Sequence, residues 1–165
     1  MTSGVDALLA QYDYQLPADR IARHPLAQRD GARMLCLGGE VSHRRVTDLP
    51  RLLNPGDLLV VNDTQVLPAR IKVKRETGGA VELFLLENGS GAVRALLKPS
   101  RRIREGEVLL ADEGRRVRVV ERLGAGEWLV ECEGGADALM ERFGSMPLPP
   151  YMAREAQEED RERYQ

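Results

Sequence analysis

Cysteine is scarce in this sequence. Cys36 and Cys132 are the only two, too few and too isolated for a disulfide framework or a metal cluster, so a reducing cytosol is the economical setting. Long hydrophobic runs are missing as well. No stretch approaches about 20 consecutive apolar residues, which excludes a membrane-spanning helix. The opening MTSGVDALLAQYDY has no basic segment followed by an apolar core, so it does not read as a secretory signal. The two histidines, His24 and His43, lie far apart with no Cys or carboxylate at ligand spacing, and no metal site is expected. The Gly-Gly turns lack the strand–glycine–helix setting of a phosphate loop, and no G-x-S-x-G or other nucleophile context occurs. An excess of one charge sign is also absent. Lys and Arg number 24 against 26 Asp and Glu, a net charge of −2, which excludes a histone-like electrostatic binder.

What is present is an ordinary globular composition. The chain has 165 residues, 42% hydrophobic and 30% charged, enough for one domain or two small ones. The charge is unevenly spread: between Arg94 and Arg122 nine Lys/Arg face five acids, and from Arg154 to Gln165 three Arg face five acids. Each run alone reads as a solvated face.

Turn residues divide the chain. Pro17 and Pro25 bracket a short helical stretch, Ala18 to Arg23. Arg33 to Leu37 reads as a strand, with Gly38-Gly39 as a two-residue hairpin turn into Glu40 to Val46. Thr47 is the expected N-cap of a short helix that ends before Asn54-Pro55-Gly56-Asp57. Leu58 to Val61 is apolar without alternation, which predicts a strand buried on both faces. From Ala69 the texture changes to alternation. Six short strands are expected at Ala69–Glu76, Ala80–Glu87, Ala92–Leu97, Glu107–Leu110, Arg115–Arg122 and Glu127–Glu133. Their even spacing predicts a small barrel or sandwich, a meander closed on itself to hide its edges. Ala136 to Phe143 is an amphipathic helix with Gly144 as its C-cap, and the prolines of 146–151 require an extended connector. A charged, helix-like tail follows. The expected fold class is therefore mixed α+β: an α/β portion, residues 1–68 plus 134–165, with a six-stranded antiparallel β-barrel, 69–133, inserted in it.

Two segments can carry chemistry. Asn62-Asp63-Thr64 follows the end of the expected buried strand, where a rigid element presents a loop, and it offers a carboxylate, an amide and a hydroxyl. On its own this triplet reads first as an Asx-turn capping the strand. The loop Leu97 to Gly106 holds Lys98, Arg101, Arg102 and Arg104, four cations suited to phosphate oxygens. A hairpin kept soluble by charge explains it equally well. No aromatic interleaves these cations, so base stacking is not indicated.

Taken together, the segments resemble one family. Tyr14-Gln15-Leu16-Pro17 with Arg20-Ile21-Ala22, Pro25 with Arg29-Asp30 and Arg33, and His43-Arg44-Arg45 with Asp48-Leu49-Pro50 carry the first part. The run Asn54 to Thr64, Pro68-Ala69-Arg70 and Glu76-Thr77-Gly78-Gly79 carry the second. Leu97-Lys98-Pro99 with Arg101-Arg102, Met146 to Tyr151, and Asp160 to Gln165 complete it. In this collinear order they resemble the S-adenosylmethionine:tRNA ribosyltransferase-isomerases of queuosine biosynthesis. Two departures stand out: Gln65 replaces a residue commonly basic in the family, and Leu67 an isoleucine.

The resemblance implies transfer of the ribosyl portion of S-adenosylmethionine to 7-aminomethyl-7-deazaguanine at the tRNA wobble position. The product is epoxyqueuosine-tRNA, with adenine and methionine released. S-adenosylmethionine is then a consumed substrate, and no cofactor is expected. By this reading Asp63 is the candidate catalytic residue, with Asn62, Thr64, Arg70, Arg33 and Tyr151 binding substrate. Lys98, Arg101, Arg102 and Arg104 bind tRNA. A cytoplasmic monomer is expected. A non-catalytic RNA-binding barrel is the alternative. The family is about twice as long as this chain, so a C-terminal half is expected to be absent and this piece alone inactive.

Overall fold

The computed structural model describes residues 8–165. The chain divides into two compact units, one formed by Met1–Leu59 with Pro149–Arg154, the other by Val60–Leu148 with Glu155–Gln165. Among the described residues no helix is long and apolar enough to cross a membrane.

In the first unit, β1 (Arg33–Cys36) and β2 (Ser42–Arg45) form an antiparallel pair, Arg33 opposite Arg45 and Cys36 opposite Ser42. The hairpin was expected, but its connection is longer than Gly38-Gly39, because pairing stops at Cys36 and resumes only at Ser42. The helix expected after Thr47 is a 3₁₀ turn, Val46–Arg51. Its start is held by Asp48, whose carboxylate accepts the Arg45 N–H at 3.0 Å, so Thr47 is not the cap. The stretch expected at Ala18 to Arg23 is likewise a single turn, Ala18–Arg20.

The second unit is dominated by a closed barrel of β3 (Arg70–Arg75), β4 (Ala80–Leu85), β5 (Ala92–Lys98), β6 (Val108–Leu110), β7 (Arg116–Gly124) and β8 (Glu127–Cys132). All its pairings are antiparallel. The expected six strands are all present, and the mixed α+β class is borne out. Period-2 alternation explains them: β5 buries Val93, Ala95 and Leu97 and exposes Ala92, Arg94, Leu96 and Lys98. Inward side chains, with Ile71, Leu83, Leu109, Val119, Trp128 and Val130 at 0–1% exposure, fill the interior.

The order around the barrel is β3-β4-β5-β8-β7-β6, not the simple meander expected. β5 and β6 stand opposite each other across the ring, so the segment joining them has to cross one end of the barrel. That crossing decides where the cations go.

After β8, α1 (Ala136–Phe143) packs Ala136, Leu139 and Met140 against the barrel core and ends at Gly144, as expected. The chain then runs extended with Met146 and Leu148 buried, and turns once at Pro150–Met152. The charged tail forms one helical turn, α2 (Asp160–Arg163). Gln165 closes it by gripping Val66 as a strand neighbour would: its side-chain oxygen accepts the Val66 N–H and its amide donates to the Val66 carbonyl, both at 2.9 Å.

One expectation fails outright. Leu58 to Val61 is neither strand nor buried; Leu58 is 88% and Val60 83% exposed. An apolar run becomes a two-sided buried strand only when strands flank it and layers cover it. Among the described residues the only sheet outside the barrel is the β1–β2 pair, and it does not extend to this segment.

Candidate functional site

Strand register sorts the barrel loops into two ends. Glu82 lies opposite Lys98, and Leu96 opposite Glu127. The β3–β4 turn, the β5–β6 loop and the β7–β8 turn therefore share one end. The chain enters at Ala69 and leaves after Cys132 at the other.

The β5–β6 loop, 99–107, closes the far end. Ile103, set between two arginines, turns inward to 6% exposure and plugs the barrel. Trp128 ties the loop from within, its indole N–H donating to the Ser100 hydroxyl at 3.2 Å. On the β6 side Glu107 holds three donors: the Arg75 guanidinium twice, at 2.5 and 3.1 Å, and the Arg104 N–H at 3.1 Å. The Arg75 hydrogen bonds hold the Glu107 carboxyl below its ordinary value, against the opposing effect of burial. The loop is thus anchored at its start, middle and end.

With Ile103 committed inward, Lys98, Arg101, Arg102 and Arg104 are left outside, exposed and without an ion pair among the described residues. Most other barrel cations differ. Arg94 pairs with Glu87 at 2.6 Å and Glu127 at 3.3 Å, Arg118 with Glu131 at 2.5 Å, and Lys72 with Glu155 at 2.7 Å. Arg101 and Arg102 border open hollows on both sides, one of about 660 Å³ that Arg104 and Arg75 also line and one of about 680 Å³ toward Arg122. Arg122 was not singled out from the sequence; a lone arginine at the end of an alternating strand gives no signal.

Arg70 sits at the opposite end, first residue of β3. Its backbone is paired with Ser145: the Ser145 N–H and hydroxyl donate to the Arg70 carbonyl at 2.8 and 2.9 Å. Its guanidinium Nε lies 3.7 Å from Glu82, buried and without a hydrogen-bond partner. Asn62, Asp63 and Thr64 precede it on an exposed, irregular segment. The Thr64 N–H and hydroxyl both donate to the Asn62 side-chain oxygen, at 2.9 and 2.6 Å. This is the Asx-turn, and it leaves the Asn62 amide free to donate and the Thr64 oxygen free to accept. No hydrogen bond joins the triplet to Arg70 among the described residues. Arg33 opens β1 and Tyr151 stands 63% exposed in the Pro150–Met152 turn, both in the first unit. The expected substrate set is therefore not one cluster within the second unit, whereas the four loop cations are one.

The barrel end plugged by Ile103 is thus fringed by cations without ion pairs and has no exposed aromatic among them, a surface whose charge is complementary to anions. The chain belongs to the queuosine biosynthesis protein family, whose model matches residues 9–165. It is 43% identical over 164 residues to the S-adenosylmethionine:tRNA ribosyltransferase-isomerase of Trichlorobacter lovleyi, covering 96% of this chain and 48% of that protein. It is 48% identical over 147 residues to the enzyme of the same name from Rubrobacter xylanophilus, covering 86% of this chain and 43% of that protein. The crystal structure of an S-adenosylmethionine tRNA ribosyltransferase from Thermotoga maritima is 30% identical, with a TM-score of 0.43, over 81% of this chain and 48% of that one. The chain spans about half the length of the curated relatives it matches.

Proposed function

We propose that this chain supplies the tRNA-docking barrel and one wall of the substrate cleft of an S-adenosylmethionine:tRNA ribosyltransferase-isomerase. The reaction is transfer of the ribosyl moiety of S-adenosylmethionine to 7-aminomethyl-7-deazaguanine in the tRNA wobble position, giving epoxyqueuosine-tRNA and releasing adenine and methionine. S-adenosylmethionine is consumed, so it is a substrate rather than a resident cofactor. The observation that carries this reading is the family match over residues 9–165.

Two features support the assignment of roles. The first is topological: the barrel's entry and exit strands leave from the same end, as they must if 69–133 is inserted between 1–68 and 134–165 of a larger body. The second is chemical. The reaction needs a base for the proton beside the sulfonium and a negative charge to hold that sulfonium against the amine nucleophile. Asp63 is an exposed carboxylate with no partner among the described residues, beside an Asn62 amide and a Thr64 oxygen that both retain capacity. Arg70, whose guanidinium lies 3.7 Å from Glu82, and Arg33 and Tyr151 of the other unit are assigned to substrate on the family resemblance. The protein acts in the cytoplasm as a monomer in this reading.

The test is adenine release from S-adenosylmethionine in the presence of tRNA carrying 7-aminomethyl-7-deazaguanine, using the intact protein and its Asp63→Asn variant. Release by the intact protein, slowed by roughly 10²–10⁴-fold in the variant, is expected of a lost general base. An intact protein that releases no adenine overturns the enzymatic reading; undiminished release by the variant overturns the role of Asp63.

A further inference from the structure

The end of β7 places one more cation beside the basic loop. Arg122 lies opposite Trp128 in the register, between two irregularities of the β7–β8 ladder, at Val119/Glu121 and at Arg122/Gly124. Bulges of this kind re-aim a side chain that strict alternation would send elsewhere. Here the guanidinium comes to rest over the Trp128 indole, 5.6 Å from the ring centroid. A cation–π contact of this kind draws the charge toward the ring face and uses none of the guanidinium N–H donors. No acid claims that charge among the described residues. The nearby Glu105 carboxylate takes the Arg122 backbone N–H instead, at 3.1 Å.

Across the hollow of about 680 Å³ stand Arg101 and Arg102, with Ser100 and Gly126 among its other walls. The Ser100 oxygen already accepts from Trp128, so its own O–H remains available to donate. The hollow is thus lined by three arginines and one hydroxyl donor, drawn from the β5–β6 loop and the end of β7. Trp128, the only tryptophan in the sequence, is 1% exposed, so it offers no face on which a base could stack.

We infer that this hollow is a phosphate cradle for the RNA backbone, in which Arg122, held over the Trp128 ring, acts with Arg101 and Arg102. The inference rests on the tRNA-docking reading above and adds to it a residue, a ligand group and a mode: phosphate rather than base. Binding through it is tolerant of sequence and steeply dependent on salt.

The experiment measures binding of an unmodified tRNA transcript to the chain across a salt series, with Trp128 emission recorded in the same titrations. Arg122→Gln is expected to lower the slope of log K against log[salt] by about 0.7–0.9, one phosphate contact. Arg101→Ala with Arg102→Ala is expected to lower it by about twice that. Arg118→Gln, which removes a cation already paired with Glu131, leaves the slope unchanged. The transcript shifts Trp128 emission in the wild type and not in Arg122→Gln. Should Arg122→Gln unfold the barrel, Arg122→Lys answers the same question: it keeps the slope but binds several-fold more weakly, having lost the planar five-donor fork, and unweakened binding overturns the inference. A wild-type slope in Arg122→Gln beside a reduced slope in the Arg101/Arg102 variant overturns the cradle and leaves tRNA docking standing. A wild type that binds no transcript overturns both.

Discussion

Adding a single methyl group at Gly144 tests how the barrel is closed at its base. A Cβ there would lie 1.9 Å from the Pro68 carbonyl oxygen and 2.3 Å from that of Met140. Both obstacles are backbone, so no side chain can swing aside, and ordinary contact begins more than about 1 Å further out. The φ of Gly144 is −74°, a value any residue adopts, so the whole cost is steric. Making room means moving the segment that carries the Gly144 N–H to Met140 at 2.9 Å and the Ser145–Arg70 bonds at 2.8, 2.9 and 3.3 Å. It also carries the Arg161 bond to the Gly144 carbonyl at 3.1 Å. At about 1 kcal/mol net for each bond, losing most of the set costs about 3–4 kcal/mol. That exceeds the ~1–3 kcal/mol typical of an overfilled core. Two controls separate the causes. Gly106 has φ +78° with open space around it, so Gly106→Ala costs only the left-handed backbone penalty of about 1–2 kcal/mol. Gly91 has open space and no left-handed φ, so Gly91→Ala stays within about 0.5 kcal/mol of wild type. Urea unfolding followed by Trp128 emission measures all three. The reasoning is refuted if Gly144→Ala costs less than Gly106→Ala.

Two further outcomes follow from titratable groups. The Glu107 carboxyl is held below its ordinary 4.5 by the Arg75 guanidinium, so the stability it contributes is present above that value and lost as pH falls through the depressed one. The gap in unfolding free energy between wild type and Glu107→Gln, about 1.5–3 kcal/mol at neutral pH, should therefore narrow in acid; a gap that holds constant would argue that the pair is not formed. Burial pushes the Cys132 thiol up to about 11, leaving on the order of one thiolate in a thousand at pH 8, so native Cys132 should resist iodoacetamide and react fully in urea. Mass mapping of the alkylated protein decides this, and rapid labelling of Cys132 in the native state would show the thiol to be open.

The barrel was legible because its signal is local. Arg70-Ile71-Lys72-Val73-Lys74-Arg75 buries Ile71 and Val73 and turns the lysines out, and the sequence states that alternation directly. Alternation tells which face a residue takes and nothing about which strand lies next to it. The crossing from β5 to β6 was therefore invisible, although Ile103 between Arg102 and Arg104 marks a place where the loop must turn one side chain inward. Leu58 to Val61 failed for the converse reason. Burial of an apolar run depends on neighbours that the run itself does not encode. The Asx-turn at Asn62 and Thr64 was readable because a short polar side chain and the amide two residues on suffice to make it.

Charge was legible as a sum and misleading as a map. The nine cations between Arg94 and Arg122 have three fates, set by their places in the barrel. Arg94 and Arg118, in mid-strand, face acids across the ladder and are neutralised by Glu87, Glu127 and Glu131. Arg115 and Arg116 lie at the end where the chain enters, with Arg115 lining a hollow that Glu133 and Glu141 also border. Lys98, Arg101, Arg102, Arg104 and Arg122 gather at the other end, where they outnumber the unpaired acids beside them, Glu76, Glu105 and Glu121. A ladder pairs opposite charges wherever strands run side by side, so unpaired charge collects where the ladder stops. The barrel is for that reason polarised along its axis. Under the function proposed above, an RNA backbone would meet the end farthest from Arg70, and a cleft around Asp63 and Arg70 would be reached only by a substrate that extends along the barrel's length. A folded tRNA, held by its phosphates at one point and presenting a base at another, has that extent; a free nucleoside does not.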